Sequence, residues 1–150
     1  MASVTTFDIP KRALADIGAY LARLEPERIT TAQASELFGL FAQLTRLGSA
    51  GQVLLAPRMA QSDEWKNEGH RSAASWVART TGTGLGDAMA TLETAERLDS
   101  LPRTAEALRT GTLSVPQVRE IAAAAAARPS AEVELLEAAS TCTLKGLKDR

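Results

Sequence analysis

The sequence predicts an all-α fold, a compact multi-helix domain with one long helix and a helix-turn-helix-like corner. Hydrophobic residues make up 45% of the 150 residues and are mostly Ala and Leu, whereas aromatic residues make up 4%. This composition favours helices over strands. Apolar residues also recur at helical spacing along most of the chain, between Gly and Pro residues that mark turns.

The first element is predicted to be an amphipathic helix. Asp8 can cap it, with Pro10 in its opening turn, and Glu25-Pro26 ends it. Between these signals the apolar residues fall at helical spacing: Leu14, Ile17, Leu21 and Leu24. We therefore predict that residues 1–29 form an N-terminal helix and that residues 30–150 form a helical domain.

The second element is predicted to be the longest helix. It begins at a T-x-x-Q capping box formed by Thr30 and Gln33. Its apolar residues follow one side: Leu37, Leu40, Phe41, Leu44, Leu47, Leu54, Leu55 and Met59. Gly48 and Gly51 weaken this helix or let another helix approach closely, and Pro57 is expected to kink or end it.

Shorter helices are predicted after this break. Residues 61–69 form a polar loop that contains Trp65, and Ser72 caps the helix that follows it. A glycine turn over residues 81–84 precedes a helix over residues 85–98. Pro102 then starts a helix that ends at the Thr110-Gly111 signal.

The C-terminal third is predicted to add three helices. Ser114 and Gln117 form a second capping box, with Leu113 and Val118 placed as a hydrophobic staple. Ser130 opens the next helix, in which the inward residues are Val133, Leu136 and Ala139. Thr143 begins a last helix whose pattern has only started at Arg150. We therefore expect the chain to be a fragment of a longer protein whose helical domain continues.

Composition limits the classes of partner and compartment. The formal net charge is −1, so no basic field covers the whole chain and any contact with DNA must be local. Cys142 is the single cysteine and cannot form an internal disulfide. The first residues lack the features of a secretory signal, and no apolar run approaches the roughly 18 residues of a membrane span. We expect a cytoplasmic protein with no membrane partner.

The segment 72–98 matches a helix-turn-helix in shape. A small Ala78 lets two helices cross, Gly82 takes a left-handed conformation, and Ala88 packs back against the first helix. However, the second helix is acidic before Arg97, whereas a recognition helix needs basic or amide side chains near its N-terminus. We favour the interpretation of a packing corner over a DNA-reading helix.

Six arginines are the candidate nucleic-acid-binding residues. They are Arg71, Arg79, Arg97, Arg103, Arg109 and Arg119. The last four lie on three consecutive predicted helices that could converge on one face, forming a local basic patch for DNA. Solvated helix faces explain these arginines equally well.

We predict no catalytic, metal or cofactor site. His70 is the only histidine, so the chain cannot assemble a His pair, a His-Cys site or a Ser-His triad. The acidic pairs at residues 63–64 and 132–134 are already explained by helix N-termini, which favour negative charge. The glycine-rich segment 82–86 lacks the Lys-Ser/Thr of a P-loop.

The order of short motifs resembles a known family. Trp65 is followed by the segments 69–72, 76–82, 101–102, 107–114 and 135–139. This order resembles the domain of unknown function 222 family, also called the thirteen-E-twelve repeat family, over roughly residues 32–150. The residues that carry the resemblance are Gly69, His70, Arg71, Ser72, Trp76, Gly82, Gly111 and Ser114.

The resemblance implies a helical region that precedes a C-terminal HNH nuclease module. In that module, His and Asn residues bind a divalent metal and activate water for phosphodiester cleavage. With one His and one Cys, this chain does not supply those ligands, so metal and activity would belong to a downstream module of a full-length parent. Pro57 and the acidic helix after Gly86 depart from the family pattern.

Three hypotheses for function follow. The leading one is a non-catalytic accessory domain that positions a downstream nuclease on DNA or mediates assembly. The second is a stand-alone interaction or oligomerisation module, in which the apolar face of residues 30–59 pairs with a partner helix. The third is a helix-turn-helix regulator that binds duplex DNA in a salt-sensitive way.

Overall fold

A computed structural model describes the backbone of residues 2–149 and the side chains of residues 6–149. As predicted, the described residues are helical and contain no strand. The helices are α1 (Ala2–Arg23), α2 (Thr31–Gln61), α3 (Glu64–Asn67), α4 (Ala73–Thr81), α5 (Leu85–Arg97), α6 (Pro102–Arg109), α7 (Val115–Ala127), α8 (Glu132–Thr141) and α9 (Leu144–Lys148). The chain forms two compact units, Met1–Leu40 and Phe41–Arg150.

The start of α1 differs from the prediction. The helix already includes Ala2, so Asp8 does not cap it and Pro10 lies inside it. Residues 2–9 contain no glycine or proline that would stop a helical backbone, and Pro10 removes only one donor from the ladder. The predicted end is confirmed, because α1 stops at Arg23 and a 3-10 turn begins at Pro26.

The N-terminus of α2 follows the predicted capping box. The backbone N–H of Thr30 donates to Oε1 of Gln33 at 3.0 Å, and the backbone N–H of Gln33 donates to Oγ1 of Thr30 at 3.1 Å. Of the two outcomes predicted at Pro57, a kink or an end, the end is wrong, because α2 continues to Gln61. Val53 and Ala56 are buried beside the proline, and their packing holds this part of the helix in place although Pro57 has no backbone N–H to donate.

The core of the second unit is centred on α7. Val118, Ile121 and Ala122 on this helix are fully buried, together with Leu108 on α6. The helix contacts α5, α6, α8 and α9. Its start is the predicted capping box, in which the backbone N–H of Ser114 donates to Oε1 of Gln117 at 2.9 Å.

The start of α8 differs from the prediction. Ser130 lies in a 3-10 turn, and α8 begins at Glu132 without a side-chain cap. Oε1 of Glu132 instead accepts hydrogen bonds from the backbone N–H and from Oγ1 of the buried Thr104, at 2.7 and 2.9 Å. Val133 is therefore turned outward, 42% exposed, rather than inward as predicted.

The predicted polar loop contains one helical turn. Residues 64–67 form α3, because Asp63 and Glu64 place negative charge at its start. The last helix, α9, begins as predicted at Thr143, whose Oγ1 accepts from the backbone N–H of Gly146 at 3.2 Å. Arg150 lies outside the described residues.

Candidate functional site

The corner formed by α4 and α5 has the predicted helix-turn-helix shape. Oγ of Ser72 accepts from the backbone N–H of Ser75 at 3.0 Å and caps α4. Gly82 ends α4 in the left-handed conformation, with φ of 71°. Val77 on α4 and Ala88 on α5 are both buried, so each helix contributes an apolar residue to the interior.

The outer surface of α5 is poorly suited to reading bases. Leu85 and Met89 are more than half exposed in its first turns, and Asp87 lies between them. Arg97, at the end of the helix, forms an ion pair with Glu93 of the same helix. Because a recognition helix needs hydrogen-bond donors near its N-terminus, this surface favours the interpretation of a packing corner.

Five of the eight family-motif residues shape the backbone. Gly69, Gly82 and Gly111 have positive φ values of 85°, 71° and 72°. Ser72 and Ser114 are the N-caps of α4 and α7. These residues determine where the helices begin and end, and this backbone role explains why the motif contains glycine and serine at these positions.

The other three motif residues lie near α3 and α4. The backbone N–H of His70 donates to the carbonyl of Trp65 at 3.0 Å. Nε1 of Trp76 donates to Oε2 of Glu68 at 2.9 Å, while the side chain of Arg71 is exposed. The histidine therefore takes part in a loop hydrogen bond through its backbone.

The structure distributes the six candidate arginines among different surroundings. Arg97 and Arg119 each lie near a carboxylate, that of Glu93 and that of Asp87 respectively. The other four are exposed and, within residues 2–149, take part in none of the ion pairs. They are Arg71, Arg79, Arg103 and Arg109.

The part of α2 within the second unit has two different sides. Ala50, Val53 and Ala56 are buried in the core. On the opposite side, Leu44 and Leu55 are 40% and 64% exposed. Leu44 and Leu55 therefore point to solvent, whereas Ala50, Val53 and Ala56 point to the core.

The exposed side carries what we call the stripe, formed by Leu44, Gly48, Gly51 and Leu55. At 3.6 residues per turn, these four positions fall within about 60° around the helix axis. A Cβ atom added to either glycine would meet no atom within 4 Å. Among the residues that the structure describes, none therefore packs closely against the two glycines.

A cleft of about 480 Å³ opens between the C-terminal half of α2 and helices α4, α5 and α7. Its walls include Val53, Met59, Trp76 and Val77. Arg119 reaches into this cleft from α7 and lies 3.6 Å from Oδ1 of Asp87. The cleft joins apolar walls to the partly buried cationic side chain of Arg119.

The sequence revealed parts of these two surfaces but not their arrangement. It identified Arg119 as a candidate for DNA binding, whereas the structure shows this side chain lining the cleft. It identified Gly48 and Gly51 as places for a close helix approach, and these lie on the exposed side of α2. No motif could reveal the cleft, because its walls come from residues up to 70 positions apart, Ser49 and Arg119.

Within the described residues, no group of three His, Cys, Asp or Glu side chains is arranged to hold a metal ion. None of the described helices is both long and apolar enough to cross a membrane. The two surfaces are therefore defined by shape, apolar area and the charge of Arg119.

Comparisons with known proteins give one match. The family model described as "Domain of unknown function (DUF222)" matches residues 35–145, which include all of the second unit's helices from α3 to α8. Neither the curated proteins nor the solved structures contain a significant match.

Proposed function

We propose that this chain, which belongs to the DUF222 family, is a helical accessory domain that mediates assembly by pairing with a second copy of itself through α2. The observation that carries this proposal is the stripe, in which two exposed leucines flank two glycines with open space beside them. Exposed apolar patches on soluble domains commonly mark interaction sites.

The spacing of the stripe is symmetric. Leu44, Gly48, Gly51 and Leu55 are separated by four, three and four residues, and the sequence of residue types is the same read in either direction. An antiparallel copy of α2 would therefore place glycine opposite glycine at the crossing point and leucine opposite leucine on either side. A two-fold dimer requires such a self-complementary surface.

The glycines supply the second argument. Each glycine inside a helix costs roughly 0.5–1 kcal/mol relative to alanine. Within the described residues, no neighbour approaches Gly48 or Gly51 closely enough to exclude a methyl group. A close approach by a partner helix gives these residues a role, because small residues let two helix backbones come together.

The expected dimer is weak. Two copies of the segment from Leu44 to Leu55, packed against each other, would bury less than the roughly 1,200 Å² typical of stable interfaces. We therefore expect a reversible equilibrium between monomer and dimer at micromolar concentrations. Such an equilibrium suits a domain that brings two longer chains together only when both are present at sufficient local concentration.

Sedimentation velocity over a range of concentrations tests the proposal. The wild-type chain should shift from monomer to dimer, and Leu44→Glu should remain monomeric because it places a charge in the interface. Leu85→Glu is the matched control, since Leu85 is also exposed, at 53%, but lies on α5. A wild-type chain that stays monomeric at millimolar concentration, or an equal effect of both variants, would refute self-pairing through α2.

Disulfide cross-linking tests the orientation. In a Cys142→Ser background, Leu44→Cys and Leu55→Cys chains should cross-link when they are mixed. An antiparallel pair brings position 44 of one copy near position 55 of the other, within the roughly 4.4–6.8 Å between Cα atoms that a disulfide needs. Cross-linking of the Leu44→Cys chain with itself would instead indicate a parallel pair.

Two further parts of the proposal rest on the sequence analysis and not on the stripe. The first is a downstream HNH nuclease module with its own divalent metal, which the paired accessory domains would bring together on DNA. Sequencing of the reading frame beyond codon 150 tests it, and a frame that ends without clustered His and Asn residues would contradict it. The second is a cytoplasmic location, which fractionation of cells that express the chain would check.

Direct DNA binding is a rival function, favoured by the four exposed arginines that lack a carboxylate partner among residues 2–149. It predicts retardation of duplex DNA that weakens with salt, because released counterions dominate such binding. Arg103→Ala and Arg109→Ala should then each reduce the affinity. The absence of retardation at low salt would remove this rival and leave assembly as the proposal.

A further inference from the structure

The cleft in the second unit adjoins the stripe on α2, because Leu55 belongs to the stripe and also lines the cleft. Its volume of about 480 Å³ falls within the roughly 300–1,000 Å³ of sites that bind small molecules. Val53 and Met59 come from α2, Trp76 and Val77 come from α4, and Val115 comes from α7. These side chains offer an apolar surface to a molecule that enters the cleft.

Arg119 is the unusual group in this cleft. Its side chain is 33% exposed, and its Nε atom is fully buried without a hydrogen-bond partner. Nη1 lies 3.6 Å from Oδ1 of Asp87, which is an ion pair but is longer than a hydrogen bond. Within the described residues, the guanidinium therefore donates to no acceptor, although it carries five N–H groups.

The lining also holds Arg58, an exposed cation, and hydroxyl groups of which two are already used as donors within the helices. Oγ1 of Thr81 donates to the carbonyl of Val77 at 2.8 Å, and Oγ1 of Thr91 donates to the carbonyl of Asp87 at 3.0 Å. Their hydroxyl protons are thus used within α4 and α5. Among the charged residues that line the cleft, Arg58 and Arg119 outnumber Asp87, so the lining carries a net positive charge of one.

We infer that this cleft binds a small apolar molecule with a single carboxylate, an alkyl or aryl carboxylic acid. The carboxylate would accept charge-assisted hydrogen bonds from Arg119, whose planar fork matches carboxylate geometry. The apolar body would lie against Trp76, Met59 and Val77 and be removed from water. This inference does not depend on the pairing of α2, because the side chains that it assigns to the ligand lie outside the stripe: Arg119, Trp76, Met59 and Val77.

Isothermal titration with three probes of equal chain length tests the inference. Decanoate supplies the carboxylate, decyltrimethylammonium reverses the charge, and decanol has no charge, each used below the concentration at which it aggregates. Decanoate should bind at one site per chain and at least tenfold more tightly than either of the others. Equal affinities for all three would overturn the role of charge, and binding at several equivalents would show only adventitious adsorption to apolar surface.

Variants then locate the site. Arg119→Met keeps an unbranched apolar side chain and should abolish the preference for decanoate, while Arg103→Met, an exposed arginine on α6, should leave it unchanged. Asp87→Asn removes the competing carboxylate and should tighten decanoate binding several-fold. Asp87 has a side chain that is 65% exposed, so this variant is expected to fold normally and remains informative if Arg119→Met does not fold. Retention of the preference in Arg119→Met, or no gain in Asp87→Asn, would overturn the assignment.

Discussion

The hydrogen bonds between Glu132 and Thr104 are expected to contribute strongly to stability. Thr104 is fully buried near the N-terminus of α6, and both its backbone N–H and its Oγ1 donate to one carboxylate oxygen of Glu132. Glu132→Ala would leave both donors without an acceptor. Since no water reaches Thr104, each lost bond carries a desolvation penalty of roughly 1–3 kcal/mol.

We therefore expect Glu132→Ala to lower the free energy of unfolding by about 3 kcal/mol. At roughly 3 °C per kcal/mol for a chain of this size, the melting temperature should fall by about 10 °C. Glu132→Gln retains an acceptor oxygen and should cost only about 1 kcal/mol. Urea denaturation followed by circular dichroism measures these values.

The matched control is Glu134→Ala, two residues further along α8. The carboxylate of Glu134 is 71% exposed and pairs only with Arg128, so its removal should change stability by less than about 0.5 kcal/mol. A double-mutant cycle with Thr104→Val measures the direct coupling between the two side chains. Equal effects of Glu132→Ala and Glu134→Ala, or a loss below about 1 kcal/mol for Glu132→Ala, would refute the reasoning.

Three further changes should alter stability in the same denaturation assay. Ser114→Ala removes the cap of α7 and should cost about 1 kcal/mol, whereas Ser140→Ala, an exposed serine on α8, should cost less than about 0.5 kcal/mol. Gly82→Ala should cost about 1 kcal/mol because φ at this turn is 71°, while Gly86→Ala, inside α5 with open space beside it, should not destabilise the chain. Leu108→Ala removes a fully buried side chain and should cost about 3 kcal/mol. A larger loss of stability in the control than in the test variant, for the serine pair or for the glycine pair, would contradict these assignments. So would a loss under about 1 kcal/mol for Leu108→Ala.

The helix starts that the sequence predicts correctly depend on local chemistry. Thr30 and Ser114 each bond a residue three positions along the chain, so a reader of the sequence sees both partners together. The left-handed turn at Gly82 is local in the same way. The predicted start of α8 is wrong because the residue at which α8 begins depends on the hydrogen bonds between Glu132 and Thr104, which lie 28 residues apart.

The side of α2 that faces the core could not be predicted from spacing. The leucines of α2 recur along one side, and apolar periodicity alone assigns that side to the interior. The structure buries Ala50, Val53 and Ala56 instead, because small side chains let α2 lie close to its neighbours in the second unit. The prediction that α2 pairs with a partner helix depends on this exposed side and remains to be tested.

The same packing that exposes the stripe also creates the cleft. Val53 and Ala56 are held in the interior, so the following turn of α2 places Met59 beside the cleft. The capping box of α7 fixes the start of the helix that carries Arg119, and the Gly82 turn fixes the start of the helix that carries Asp87. The distance between Arg119 and Asp87 therefore depends on the cap of α7, on the Gly82 turn and on the buried side of α2. Loss of any one of these features should change the shape of the cleft before it unfolds the domain.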